Sequence, residues 1–232
     1  MLWQNAVGEL PIVTNSEVHI WRINISQNIK RLEQFEALLT ADEMLRAGKY
    51  KQQKDTYRFI VSRGAQRIIL GRYLNQEPAQ LQFILSDNKK PHLVGVDGNI
   101  INYNLSHSGD WVILAIAATP VGADVEVIDA AFPFHDILPD NFSEEEATFI
   151  GTSPDKFFML WTRKEAILKA TGQGLGDHLN LTPALDGEHL LDASLIGADK
   201  NWLLNSFALC PGYIATVVAE DGRQDLRFFD WQ

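Results

Sequence analysis

Cysteine is nearly missing from this chain of 232 residues. Its one copy, Cys210, excludes an intramolecular disulfide and any cysteine-rich zinc site. It lies in LLNSFALCPGYIATVVA, which reads as two strands around a Pro211-Gly212 turn, so packing is its expected role. Long apolar runs are missing too, and no stretch is long enough to span a bilayer. The N-terminal MLWQNAVGELPIVTNSE has neither a positive n-region nor a long apolar core, so no signal peptide is expected and a cytoplasmic protein is the default. Basic residues are in short supply, 20 against 30 acidic ones, for a net charge of −10. That disfavours a protein held to nucleic acid by its whole surface, while leaving room for a local basic patch.

What is present, 46% hydrophobic and 22% charged residues, is the make-up of a soluble globular protein with one large domain or two small ones. Residues 17–26 alternate as a strand. Thr40-Ala41-Asp42-Glu43 is a capping-box pattern that opens a helix, and helical sequence runs on to about Asn75 with a break near Tyr50. Between Arg46 and Arg72 this segment holds eight basic residues (Arg46, Lys49, Lys51, Lys54, Arg58, Arg63, Arg67, Arg72) and one acidic, Asp55. They read either as a solvated face or as a landing site for phosphates. Residues 81–85 suggest a short strand and 86–91 a loop. Leu105-Ser106-His107-Ser108-Gly109-Asp110 reads as a polar turn. Residues 111–119 and 121–127 read as strands, Ser143-Glu144-Glu145-Glu146 as a second capping box, and 202–210, 213–219 and 226–231 as further strands. Each half thus carries helices opened by a capping box and followed by strands. The expected fold is α+β in two similar halves, 1–119 and 120–232, meeting near Thr119-Pro120.

The second half is organised around WTRKEAILKATGQGL, residues 161–175. Ser153-Pro154 supplies an N-cap and a proline at the first helical position, and Gly172 supplies the stop. Phe157, Leu160, Trp161, Lys164, Glu165 and Leu168 share one helical face. A charge on a buried face is costly unless it is paired or binds a metal. Lys169 follows Glu165 by four residues, so the bland reading is a surface pair of about 0.2–0.5 kcal/mol. Upstream, Asp124 and Glu126 are two apart on a strand, so their carboxylates point to one side while Val125 and Val127 point to the other. Such neighbours repel unless a cation sits between them. With Glu165 they make three oxygen ligands without nearby His or Cys, a set suited to Mg²⁺; a solvated strand edge is the alternative.

Gly122-Ala123-Asp124-Val125-Glu126, then Trp161-Thr162-Arg163-Lys164-Glu165-Ala166, Lys169-Ala170 and Gly172-Gln173-Gly174-Leu175, resemble the signature pair of the 4′-phosphopantetheinyl transferases. The WxxKEA form looks like the surfactin-synthetase-activating (Sfp-type) group. Asn104-Leu105-Ser106-His107-Ser108-Gly109 matches that group's N-[IL]-S-H-S segment, and Lys89-Lys90-Pro91 stands where G-K-P is usual. Ala123 replaces a usual Ile or Val, and Lys89 a common glycine; neither change removes a catalytic group. The resemblance implies two pseudo-symmetric α+β halves, each with helices on a small antiparallel sheet and the active site at their interface. It implies a Mg²⁺-dependent enzyme that moves the phosphopantetheine arm of coenzyme A to a serine of an apo acyl carrier protein or peptidyl carrier domain, leaving 3′,5′-ADP. Such carriers serve fatty acid, polyketide or nonribosomal peptide biosynthesis.

In that frame Asp124, Glu126 and Glu165 hold the metal. Glu165 is the general base, directly or through a metal-bound water, and Lys169 stabilises the leaving phosphate. Arg58, Lys90, Ser106, His107, Lys164 and Lys169 contact coenzyme A, with Arg46 and Lys49 a looser match near its 3′-phosphate. Residues 172 to about 203 dock the carrier, and the precedent for a two-halved chain is a monomer that engages neither nucleic acid nor membrane. Two other classes compete. One is a non-catalytic binder of coenzyme A or carrier protein on the same scaffold, against which the clustered carboxylates argue. The other is a serine hydrolase using Ser106 or Ser108 with His107, which lacks a G-x-S-x-G elbow.

Overall fold

The computed structural model describes residues 2–5, 12–85, 88, 90–93, 101–174, 178–220 and 225–231. Positions 86–87, Lys89 and Leu175 of the motifs above lie outside the described residues. Along the chain come β1 (Gln4–Asn5), β2 (Glu17–Asn24), α1 (Ile25–Asn28), α2 (Leu32–Glu36), α3 (Ala41–Ala47), α4 (Gln53–Leu74), β3 (Phe83–Leu85), β4 (Pro91–Leu93), β5 (Asn102–Ser108), β6 (Trp111–Ala117) and β7 (Val121–Val127). Then follow α5 (Leu138–Asn141), α6 (Glu144–Ile150), α7 (Pro154–Thr171), β8 (Trp202–Cys210), β9 (Tyr213–Glu220) and β10 (Asp225–Trp231).

The strands form a five-stranded sheet, β1-β10-β2-β6-β5, a three-stranded sheet, β7-β9-β8, and the β3-β4 hairpin. Period-two alternation sorts their side chains into layers. In β2 and β6, Trp21, Ile23, Val112, Leu114 and Ile116 pack against α4 through Ile60, Val61, Ile69 and Leu70. Their alternates, Val18, Ile20, Ile113 and Ala115, meet Val121, Ala123, Val125, Ala215 and Val217 of the smaller sheet. The far face of that sheet takes Ala166, Ile167 and Ala170 of α7 around Val218. The order of layers is therefore α4, large sheet, small sheet, α7, an α+β sandwich with one long helix on each outside.

Three expectations change. The halves are not closed at residue 119, because β10 runs parallel to β2 from Asp225↔Glu17 to Trp231↔Ile23 and so completes the first sheet. That sheet is mixed, not antiparallel, since β1 also pairs parallel to β10. The polar turn at 105–110 is mostly strand: β5 runs to Ser108, and only Gly109-Asp110 turn the chain. Asn104, Ser106 and Ser108 can sit in a strand because β7 offers each of them a hydrogen-bond partner.

Both capping boxes form, and each glutamate does a second job. Glu43 Oε2 accepts the Thr40 amide at 2.9 Å and pairs with Arg67 Nη2 of α4 at 2.8 Å. Glu146 Oε2 accepts the Ser143 amide at 2.9 Å and pairs with Lys164 Nζ of α7 at 2.8 Å. Arg67 also donates to the carbonyls of Pro78 and Leu81, and Lys164 to those of Leu179 and Thr182. The two halves share this device without sharing a detectable sequence repeat.

Candidate active site

The site grows from the seam where β5 lies beside β7. Asn104 Oδ1 accepts the Ala123 amide at 2.8 Å, Ser106 Oγ donates to Asp124 Oδ1 at 2.8 Å, and Ser108 Oγ donates to Glu126 Oε2 at 2.7 Å. Ser108 Oγ also accepts the Val127 amide at 3.1 Å. An N-x-S-x-S alternation in one strand thus reads against a D-x-E alternation in the other. Val125 is buried beneath, as alternation requires, whereas Val127 at the strand end is 37% exposed.

Helix α7 closes the other side. Ser153 caps its start by accepting the Lys156 amide, and Gly172 ends it in the left-handed region at φ 76°. It lies so close to β7 that a Cβ on Gly122 would run into the Ala166 carbonyl oxygen and the Ala170 amide nitrogen. The small residues of both signature segments are therefore a packing device. They set Glu165 and Lys169, the residues just before those two alanines, over Asp124. Lys169 Nζ lies 2.5 Å from Asp124 Oδ1, 3.1 Å from Glu165 Oε2 and 3.2 Å from Ser106 Oγ. The other Asp124 oxygen, Oδ2, is buried and has no hydrogen-bond partner among the described residues.

Burial pushes Asp124 up to about 7, with the Glu165 and Glu126 charges adding to it and Lys169 opposing. Burial also raises Glu126, against the pull of its Ser108 hydrogen bond. Burial alone would lower Lys169, but the Asp124 and Glu165 carboxylates outweigh it and the ammonium is stabilised. The donors available to a cation are all carboxylate oxygens, and one of them, Asp124 Oδ2, is buried with no hydrogen-bond partner among the described residues. That chemistry fits a hard divalent ion. Among the described residues no three acidic, His or Cys side chains are already gathered as ligands, and Lys169 stands between Asp124 and Glu165.

The helix α4 side brings cations. His107 alternates with Ser106, so it lies on the face that Tyr103 and Leu105 share with α4. Desolvation, then the Arg58 charge, hold its imidazole below the ordinary value, with Lys169 and Arg63 adding to this. Arg58 is half-buried and pairs with Asp55 at 2.7 Å. Lys90 arrives from the β3-β4 hairpin and donates to the carbonyls of Ala170 at 2.9 Å and Val121 at 3.4 Å. Burial pushes its amine down to about 8. Lys90 thus ties the end of α7 to the start of β7.

Lys164 is a correction. It was expected to face coenzyme A phosphates, but its side chain is fully buried. Its ammonium is committed to Glu146 and to the carbonyls of Leu179 and Thr182, with the Phe142 ring 5.0 Å away. Glu146 Oε1 in turn accepts the Ala184 amide. Helical spacing places Lys164 beside Glu165 in sequence but about 100° away around the axis, on the side that meets the 179–184 segment. Arg67 of the basic helix is likewise interior, only 2% exposed. The residues that reading by charge missed are Asn104, Ser108, Gly122, Ala166 and Ala170. Matched alternations and small residues at i, i+4 were the signals.

Residues 14–119 match a family model described as the 4′-phosphopantetheinyl transferase N-terminal domain. Residues 120–217 match that of the 4′-phosphopantetheinyl transferase superfamily. The 4′-phosphopantetheinyl transferase HetI of Nostoc sp. is 34% identical, over 69% of this chain and 71% of its own. A putative 4′-phosphopantetheinyl transferase of Synechocystis sp. is 32% identical over 74% and 73%. The 4′-phosphopantetheinyl transferase Sfp of Bacillus subtilis is 23% identical over 81% and 84%.

Proposed function

The chain belongs to the 4′-phosphopantetheinyl transferases, enzymes that carry phosphopantetheine from coenzyme A to a carrier protein, and from that premise we propose how its own residues perform the transfer. The observation that carries the reading is the placement of Asp124 of β7 and Glu165 of α7 on one ammonium at the seam with β5, with Glu126 two residues along β7 and, among the described residues, no hydrogen-bond partner for Asp124 Oδ2.

The carrier's serine oxygen attacks the pantetheine-bearing phosphorus of the coenzyme A pyrophosphate. A new P–O bond forms, the bridging P–O bond breaks, and 3′,5′-ADP leaves. Glu165 takes the serine proton; a positioned base of this kind contributes about 10²–10⁴-fold. Asp124, Glu126 and Glu165 would hold Mg²⁺, which when bound offsets pyrophosphate charge and orients the leaving group. Lys169 supplies positive charge for the departing phosphate. Arg58, His107 and Ser106 line the approach of the nucleotide phosphates. Lys90 braces the end of α7, and Lys164 stays inside the fold. The carrier docks along the segment from residue 172 to about 203, and one chain suffices as a monomer because both sides of the site lie within it.

Intact-mass measurement tests this. Apo carrier protein, coenzyme A and Mg²⁺ are mixed with the enzyme, with EDTA as control. The carrier is expected to gain one phosphopantetheine on its serine only with metal present. Asp124→Ala and Glu165→Gln are expected to abolish the gain while keeping the wild-type circular dichroism. Near-normal turnover in either variant would remove the site assignment. Coenzyme A binding without any product would favour the non-catalytic binder.

A further inference from the structure

Two of the three carboxylates, Asp124 and Glu165, are held together by a cation that belongs to the chain. Lys169 Nζ bridges Asp124 Oδ1 at 2.5 Å and Glu165 Oε2 at 3.1 Å, and donates to Ser106 Oγ at 3.2 Å. A divalent ion shared by Asp124 and Glu165 needs the oxygens this ammonium now spans. An ammonium and a divalent ion a few ångströms apart repel strongly at a site this dry, so both cannot keep the same two carboxylates. The helix cannot yield, because Ala166 and Ala170 are pressed against Gly122. The lysine side chain can, since its four-carbon stem is flexible. Asp124 is meanwhile kept aimed by Ser106 Oγ on Oδ1, and its buried Oδ2 has no hydrogen-bond partner among the described residues.

We propose that Lys169 is a built-in stand-in for the metal. In the metal-free protein its ammonium screens Asp124 from Glu165, and the arriving cation displaces it toward the phosphate side of the site. Metal loading and delivery of the catalytic ammonium are then one event, and the metal-free enzyme holds that ammonium out of use. The inference rests on the metal site proposed above.

The test is Mn²⁺ binding, read by electron paramagnetic resonance on the full chain with neither coenzyme A nor carrier. Lys169→Met is expected to bind Mn²⁺ about tenfold or more tighter than wild type, the competing charge having gone. Lys169→Arg, which keeps the charge, is expected to bind no tighter than wild type, and Asp124→Asn more weakly. Lys169→Met could need metal to fold, so its melting temperature is also followed against Mg²⁺, and it is expected to rise more steeply than that of wild type. Unchanged or weaker Mn²⁺ binding by Lys169→Met, with Asp124→Asn still impaired, overturns the stand-in and leaves the metal site intact. So does a Lys169→Met chain that stays unfolded at saturating Mg²⁺. Mn²⁺ binding indifferent to Asp124→Asn and Glu165→Gln overturns the metal site itself, and the stand-in with it.

Discussion

Glu146 and Lys164 face each other at 2.8 Å with at most 3% of either side chain exposed. Burial lowers the lysine's pKa, and the hydrogen bond and charge of Glu146 oppose that shift. An ion pair this dry contributes little net stability as a pair but costs much when one partner is removed, because the other charge is left stranded.

Lys164→Met is therefore expected to cost about 3–5 kcal/mol in urea unfolding. The folded fraction is expected to keep its affinity for coenzyme A. Adding Glu146→Leu is expected to recover much of the loss, a coupling that a double-mutant cycle reads directly. A Lys164→Met protein of normal stability with weak coenzyme A binding would restore the phosphate-facing role.

Gly122→Ala tests the helix–strand approach. The new methyl meets the backbone of α7 at Ala166 and Ala170. Overpacking of this kind costs typically about 1–3 kcal/mol. Activity is expected to fall further than stability explains, since a shift of about 1 Å in a reacting group can cost roughly 10²-fold. The check is turnover at a temperature where both proteins are fully folded.

Metal affinity is expected to depend on pH. With Asp124 raised to about 7 by burial and its acidic neighbours, a proton competes for the carboxylate below that pH. Metal binding releases such protons, so apparent Mn²⁺ affinity is expected to rise from pH 6 to pH 8 and to flatten above it. The Asp124→Asn protein is expected to show little of this slope.

His19 sets a second pH dependence, in stability. Its Nδ1 lies 2.7 Å from the Tyr73 hydroxyl, which accepts from Trp21 Nε1 at 3.1 Å. The phenol hydrogen is then free to go to Nδ1 and keep the imidazole neutral. Burial pushes its pKa down from 6.5 to about 4, only partly offset by Glu17. Between those values the unfolded chain binds a proton that the native state refuses. Stability is thus complete above pH 6.5 and falls as pH drops toward 4, by up to about 3 kcal/mol. Urea midpoints measured across this range are expected to change less in His19→Gln than in wild type.

Much of the architecture was legible from local pattern. The capping boxes at Thr40 and Ser143, the break near Tyr50, the strand 121–127 and the α7 boundaries at Ser153 and Gly172 all follow from short-range chemistry. The strand at 102–108 did not, because the partners of its polar side chains lie in later segments, chiefly β7. Lys164 misled for the same reason. Its partners lie 18 residues before it and 15 to 18 after it, at distances that helical periodicity cannot see. Lys169 meets Asp124 as well as Glu165, its neighbour four residues back, and the bond to Asp124 emerged only once Gly122 let the helix approach.

Strand β10 pairs with β2 from Asp225 opposite Glu17, so the first sheet closes only when residues 225–231 are in place. While the ribosome still holds residues 225–231, β2 has β6 on one side and an open edge on the other, with Trp21 lacking its stacked partner Phe229. A nascent chain of this kind cannot finish its N-terminal half early. A strand made early is sealed by one made much later, and neither half is expected to survive as a separately expressed fragment.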